Sequence, residues 1–230
     1  MTAGAVAQAS PATWDWDIAQ RMFPELLRGL SVTLQATLVG ITVAMVLGLG
    51  LAMARRSSLP VVRWPVIGFI EFVRSTPLLV QLFFLFFVLP DLGVRLSGFT
   101  AGVLGLGLHY ATYTSEAYRS GIDNVENGQW EAAVACNLST RTTWGSVVLP
   151  QAIPTVIPAL GNYLVAMLKD APLLSTIAVL ELLAVAQGLN SQLFRPLEAF
   201  SLAALLFLAV SIPAAILVRY LEKRYGYSRD

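Results

Sequence analysis

The chain has 230 residues, 56% of them hydrophobic and only 13% charged, with a formal net charge of +1 and a mean hydropathy of +0.68. A soluble domain carries roughly 25% charged residues, so this chain cannot cover a water-facing surface and reads as an integral membrane protein. The near-neutral charge gives no indication of a nucleic-acid partner; the single cysteine, Cys136, excludes an internal disulfide, and the single histidine, His109, argues against a histidine metal cluster.

The first twenty residues, MTAGAVAQASPATWDWDIAQ, have neither a basic n-region nor an apolar h-region and do not read as a secretory signal. Spans are sought as runs free of Asp, Glu, Lys and Arg, because crossing hydrocarbon takes about 20 apolar residues. Gly29 to Ala54 gives the first. Ser75 to Pro90 gives a short second that draws on upstream residues, including Glu71 and Arg74. Leu96 to Ser115 gives the third. Thr142 to Leu168 is long enough for a fourth, but Pro150, Pro154 and Pro158 interrupt its first half. That span is therefore placed from near Thr155, through Lys169 and Asp170, to about Leu180. Ala199 to Val218 is the fifth, with Pro213 as a kink. The predicted fold class is all-α integral membrane, with five transmembrane helices.

Orientation follows from the Lys/Arg bias. With the N-terminus outside, the inner segments hold Arg55, Arg56, Arg63, Arg119, Arg141, Arg219, Lys223, Arg224 and Arg229, against Arg21, Arg28, Arg95 and Arg195 outside. N-out and C-in is favoured. Residues 1–24 then form an outer segment, with Trp14 and Trp16 at the interface, residues 25–225 the membrane domain, and residues 226–230 a cytoplasmic tail. The polar stretch within 123–152 becomes a cytoplasmic loop.

That loop carries two helical signals. Trp130, Ala133, Val134 and Leu138 share one apolar face by spacing, and Glu131 is placed in a first turn, where the helix dipole favours negative charge. Asn137 suits the left-handed position that ends a helix, and Ser139 or Thr140 can cap a second helix. Trp144, Val147 and Val148 give that helix its own apolar face, and Pro150 is expected to end it. The pattern predicts a helix-turn-helix hairpin at the membrane surface, either packing there or docking a cytoplasmic partner.

Glu131-Ala132-Ala133, a break four residues after Ala133, and Leu149-Pro150 after a further helix resemble the EAA motif of ABC importer permeases. The motif usually has Gly where this chain has Asn137. "VRSTPLLVQLFF", "YTSEAYRSGIDNVENGQWEAA" and "IPALGNYLVAMLKDAPLLSTIAVLEL" are similar to stretches of the polar amino acid uptake branch, though Ala171-Pro172 replaces that branch's usual Thr-Ser. "LGLHYATYTSEAYRSGIDNV", "WEAAVACNL" and the proline of "KDAPLLS" look like permeases of ectoine and hydroxyectoine importers. The resemblance implies a type I ABC importer fold in a bacterial inner membrane. It makes the loop the coupling element, with Gln129, Glu131, Ala132, Ala133, Asn137, Leu149 and Pro150 as its contact set. It also implies a dimer of cytoplasmic ATPase subunits, a second permease copy or homologue, and an extracytoplasmic substrate-binding protein.

The chain lacks a Gly-x-x-x-x-Gly-Lys-Ser/Thr loop, and its two lysines, Lys169 and Lys223, are followed by Asp170 and Arg224. ATP must be bound by another chain, and no cofactor is expected here. Ionisable residues inside spans are functional candidates. Arg74, Gln81, His109, Tyr113, Glu116, Lys169 and Asp170 form the candidate translocation path. His109, Tyr113 and Glu116 recur at i, i+4 and i+7, beside a small-residue stripe of Gly107, Ala111 and Ser115 suited to close packing. Arg74 would meet a substrate carboxylate, and Tyr113 with Glu116 its cationic end. The alternative is local pairing of Glu71 with Arg74 and of Glu116 with Arg119. Lys169-Asp170 is either a cavity-lining break or a packed ion pair. The competing function is an ion-coupled secondary transporter of small zwitterions using His109, Glu116 and Lys169-Asp170. No nucleophile or metal constellation supports an enzyme.

Overall fold

The computed structural model describes residues 13–225, and among them every regular element is helical. The residues expected as a cytoplasmic tail, 226–230, and most of the outer segment, 1–12, lie outside the described residues. Helix α1 (Trp16–Arg55) is 40 residues long, about 60 Å at ~1.5 Å per residue, or roughly twice a hydrocarbon core. Its start is fixed by Asp15, whose carboxylate accepts from the amides of Asp17 (2.9 Å) and Ile18 (3.2 Å). Pro24 sits inside the helix. The helix thus begins within the segment 1–24 and extends well before the predicted Gly29. Trp14 and Trp16 meet edge to face at 5.5 Å.

The second half of α1 packs along α4 (Gly98–Asp123). Small residues bring the two backbones together: a Cβ on Gly48 would stand 2.8 Å from the Ala111 carbonyl oxygen, and one on Gly107 2.6 Å from Val43 Cγ1. Thr114 Oγ1 donates to the Ala44 carbonyl at 2.8 Å. Gly107, Ala111 and Ser115 are all buried, so the stripe is a packing face, as its spacing predicts.

The predicted second span is broken. α2 (Pro60–Ser75) and the helical stretch from Leu78 to Leu92 meet at 105°. Pro77 supplies no amide, and the residue before it, Thr76, is extended at φ −108°, ψ 138°, as a pre-proline residue prefers. α3 (Leu78–Phe83) then loosens into a π turn, Phe84–Val88, and a 3-10 turn, Leu89–Leu92. Arg74 and Gln81 therefore do not share one helical face.

The fourth span also differs from expectation. Thr140–Ile177 is one helical run of 38 residues, so Pro150 does not end a helix and the span does not start near Thr155. α7 (Leu149–Asp170) follows a π turn at Thr143–Val148. Pro150 follows closely on that π turn, whose wider bonding accommodates the amide it lacks. Pro154 and Pro158 recur one turn apart inside it. Lys169 and Asp170 end α7, and a 3-10 turn, Ala171–Ile177, follows. α8 (Leu182–Leu193), bracketed by left-handed Ala178 (φ 61°) and Phe194 (φ 54°), was not foreseen. At 12 residues it is too short to span. α9 (Pro196–Tyr225) runs through Pro213.

By length and apolarity, Trp16–Arg55, Thr140–Ile177 and Pro196–Arg224 qualify to cross a membrane, and the bent pair of α2 and α3 makes a fourth if it counts as one span. α4 has the length, 26 residues, but is enclosed by other helices and less uniformly apolar, as an interior helix lining polar groups can be. Two cores lie along α1. Met22 and Leu26 pack with Leu182, Ala186 and Ala199. Ala36 and Ala44 pack with Leu82, Leu106, Tyr110, Met167 and Leu174. The second core encloses the polar cluster described next.

Candidate coupling loop and translocation path

Between α4 and α7 the chain folds into a hairpin. α5 (Asn127–Ala135) ends at Asn137, whose φ of 55° is the left-handed conformation expected of it. The Leu138 amide donates to the Ala133 carbonyl (3.0 Å) and the Asn137 amide to that of Val134 (2.9 Å), the paired bonds of a Schellman ending. Ser139 Oγ accepts from the Thr142 amide at 3.2 Å, capping the one-turn α6 (Thr140–Thr142) that leads into the π turn. Trp130 and Trp144 meet edge to face at 5.4 Å over buried Ile122, Val125, Val148 and Ala152. Gln151 Nε2 donates to Gln129 Oε1 at 3.2 Å, tying the two limbs together.

The predicted single apolar face of the hairpin divides. Ala133 is buried and Trp130 half-buried, but Val134 is 76% exposed and Leu138 is exposed too. Glu131 is the fifth residue of α5, beyond its first turn, because the helix starts at Asn127; the dipole argument does not apply to it. Glu131, Ala132, Leu149 and Pro150 are exposed. The hairpin thus presents outward an acidic residue, two small or apolar neighbours and the Leu-Pro corner, while its tryptophans hold it to the bundle.

Five of the seven candidate path residues come together, with changed partners. Gln81 reaches back across the α2–α3 bend: its Nε2 donates to the carbonyls of Val73 (2.7 Å) and Thr76 (3.1 Å). Its Oε1 lies 3.2 Å from His109 Nδ1. The His109 ring is 5.3 Å from Tyr113, and the guanidinium of Arg74 stands 5.0 Å above the Tyr113 ring. Among the described residues, Glu71 and Arg74 make no ion pair with each other. Tyr110 OH donates to Asp170 Oδ2 at 2.7 Å, and the Tyr163 ring of α7 lies tilted at 5.9 Å from Tyr113 and edge to face at 6.5 Å from Tyr110. Arg74, Gln81, His109, Tyr113 and Asp170 thus form one polar and aromatic cluster between α2, α3, α4 and α7.

Glu116 and Lys169 stand apart from it. Glu116 pairs with Arg119, one turn along α4, and with Arg55 Nη1 at 2.9 Å. The local pairing with Arg119 is as the sequence allowed; the Arg55 contact comes from α1 and was not anticipated. A carboxylate held by two guanidinium groups is not free for a substrate's cationic end. Lys169 is exposed and makes no ion pair with Asp170 among the described residues. Sequence reasoning also missed Tyr110 and Tyr163. Tyr110 had a signal, three residues before Tyr113 and adjacent to His109; Tyr163 had none short of knowing that α7 lies beside α4.

Residues 21–227 match the family described as binding-protein-dependent transport system inner membrane component. A probable amino-acid ABC transporter permease of Sinorhizobium fredii is 45% identical, covering 91% of this chain and 93% of its own. A probable amino-acid ABC transporter permease of Bacillus subtilis is 37% identical, again over 91% of this chain and 93% of its own. A solved amino acid ABC transporter, crystallised with histidines, matches with a TM-score of 0.86 at 32% identity, covering 92% of this chain and 99% of that one. The chain therefore belongs to the family of binding-protein-dependent transport system inner membrane components. It is a multi-pass inner-membrane permease subunit and performs no covalent chemistry; ATP is hydrolysed on a separate subunit. This family membership disfavours an ion-coupled secondary transporter.

Proposed function

We propose that this permease imports a small zwitterionic amino acid or a related compatible solute, with ectoine and hydroxyectoine among the candidates. In this reading it works N-out and C-in, beside a second copy or a homologous permease. An extracytoplasmic binding protein delivers the substrate, and a pair of cytoplasmic ATPase subunits drives alternating access through the hairpin. The observation that carries the reading is the hairpin itself: tryptophans and Ala133 anchor it, and Glu131, Ala132, Leu149 and Pro150 face outward. The amino-acid permeases among its relatives support the substrate class.

Arg74 offers the substrate carboxylate a planar, bidentate partner. Asp170, set among Tyr110, Tyr113 and Tyr163, takes the cationic group, because aromatic faces and a carboxylate together favour a desolvated cation. This assignment moves the cationic end from Glu116, which Arg55 and Arg119 occupy, to Asp170. Arg74 lies over the Tyr113 ring and Tyr110 donates to Asp170, so each of the two candidate groups is positioned by a tyrosine.

The test is a pull-down of the tagged chain from native membranes in mild detergent, followed by uptake into proteoliposomes. Wild type should bring down an ATPase subunit with a phosphate-binding loop, and Glu131→Arg should lose both that subunit and ATP-driven uptake while remaining in the membrane. Radiolabelled polar L-amino acids and ectoine, offered in parallel, identify the substrate. Uptake retained by Glu131→Arg, or uptake that survives ATP depletion and collapses with an uncoupler, would overturn the reading.

A further inference from the structure

Five charged side chains at the ends of α1 and α4 form a closed ionic lattice. Glu116 receives Arg55 Nη1 at 2.9 Å and also Arg119. Arg119 reaches on to Asp123 at 2.7 Å, and Asp123 also meets Arg56. Arg55 and Arg56 are adjacent, so the chain of contacts returns to its starting helix. The side chains are between 27% and 43% exposed. Isolated pairs at such exposure contribute about 0–1 kcal/mol, whereas networks with shared partners hold geometry better.

The position of the lattice gives it meaning. Asp123 is the last residue of α4, and Ile122 beside it belongs to the apolar anchor under Trp130 and Trp144. At its other end, Glu116 follows one turn after Tyr113, which carries the guanidinium of Arg74. The lattice therefore fills the stretch of α4 between the polar cluster and the root of the hairpin. Along the same stretch it ties α4 to the end of α1.

We propose that this lattice is a coupling clamp: it makes the ends of α1 and α4 move as one body when the hairpin is displaced, with Arg119 as the positioning residue at its centre. The inference rests on the reading of the hairpin as the ATPase-docking element. It predicts that weakening the lattice leaves docking intact while loosening the link between ATP hydrolysis and transport. Lattice charges that only stabilised the fold would change stability and leave that link alone.

The experiment uses the complete complex of permease, ATPase and binding protein in proteoliposomes. Radiolabelled polar L-amino acids and ectoine are the probes, and ATP hydrolysis is measured in the same vesicles. Arg55→Gln, Glu116→Gln, the double variant, Arg119→Gln and Arg119→Lys are compared after a pull-down that scores ATPase recovery. Recovery should match wild type in all five. Arg55→Gln and Glu116→Gln should each lower substrate moved per ATP by about threefold or more, the scale of direct side-chain coupling. The double variant should be no worse than the worse single, since Glu116→Gln already removes the contact that Arg55→Gln removes. Arg119→Lys should retain more coupling than Arg119→Gln.

Three results would overturn the clamp: an unchanged ratio in Arg119→Gln and in the double variant, losses that multiply in the double variant, or loss of ATPase recovery in the lattice variants. Failure of the hairpin reading shows up separately, as ATPase recovery and uptake unaffected by Glu131→Arg.

Discussion

The contact between Tyr110 and Asp170 joins two helices through residues 60 positions apart. Tyr110 is 5% exposed, so its hydroxyl needs a partner, and a charged acceptor is worth about 1.5–3 kcal/mol. Asp170 sits where α7 gives way to a 3-10 turn, a place where backbone and side chain can shift together. Asp170→Asn keeps an acceptor for the tyrosine and removes the charge. It should raise the KM for uptake about tenfold or more, with the maximal rate less affected, the loss expected of a charge-assisted contact. Tyr110→Phe frees the carboxylate without removing it and should shift KM by a smaller factor. Both are read from initial uptake rates over a substrate series; equal KM in wild type and Asp170→Asn would remove Asp170 from the site.

At the scale of elements, the hairpin turns on one left-handed residue. Asn137→Gly should preserve ATPase association, since glycine adopts this conformation freely. Asn137→Val should weaken association by about tenfold, because a left-handed conformation costs an ordinary residue roughly 1–2 kcal/mol; titration of the detergent-solubilised complex measures it. This turn was legible in the sequence because its cause is local: a short polar side chain between two apolar patterns. The small-residue stripe of α4 was legible for the same reason. The bend at Pro77 was not. Hydropathy reports how apolar a run is, and the run through Phe83–Phe87 is apolar whichever way it points. α8 was hidden because its residues are apolar enough to extend the preceding span, while the turn before it ends at left-handed Ala178 and the helix itself ends at left-handed Phe194, neither a residue type that announces a turn. Pro150 misled in the opposite direction: a proline that follows a π turn is compatible with a helix that continues. In the polar cluster, the one-helix spacing of His109 and Tyr113 was readable, but the partners supplied by α2, α3 and α7 needed the packing of the bundle.

At the scale of the whole molecule, the exposed Cys136 beside the hairpin turn is the chain's own topology reporter, being its single cysteine. With the N-terminus outside, a membrane-impermeant maleimide should label it in inverted vesicles and leave it unlabelled in right-side-out spheroplasts. Labelling from the outer side would reverse the orientation and with it the assignment of the hairpin to the cytoplasm. The 38-residue helical run from Thr140 to Ile177 has a further consequence. A bilayer accommodates about 20 residues of such a helix, so close to half of the run is more than one crossing needs. Pro150, Pro154 and Pro158 all fall in the half of the run nearer the hairpin, and each withholds one backbone amide from the helical ladder. That half is therefore a softened lever: with three amides missing from its ladder it bends more readily than the half that follows.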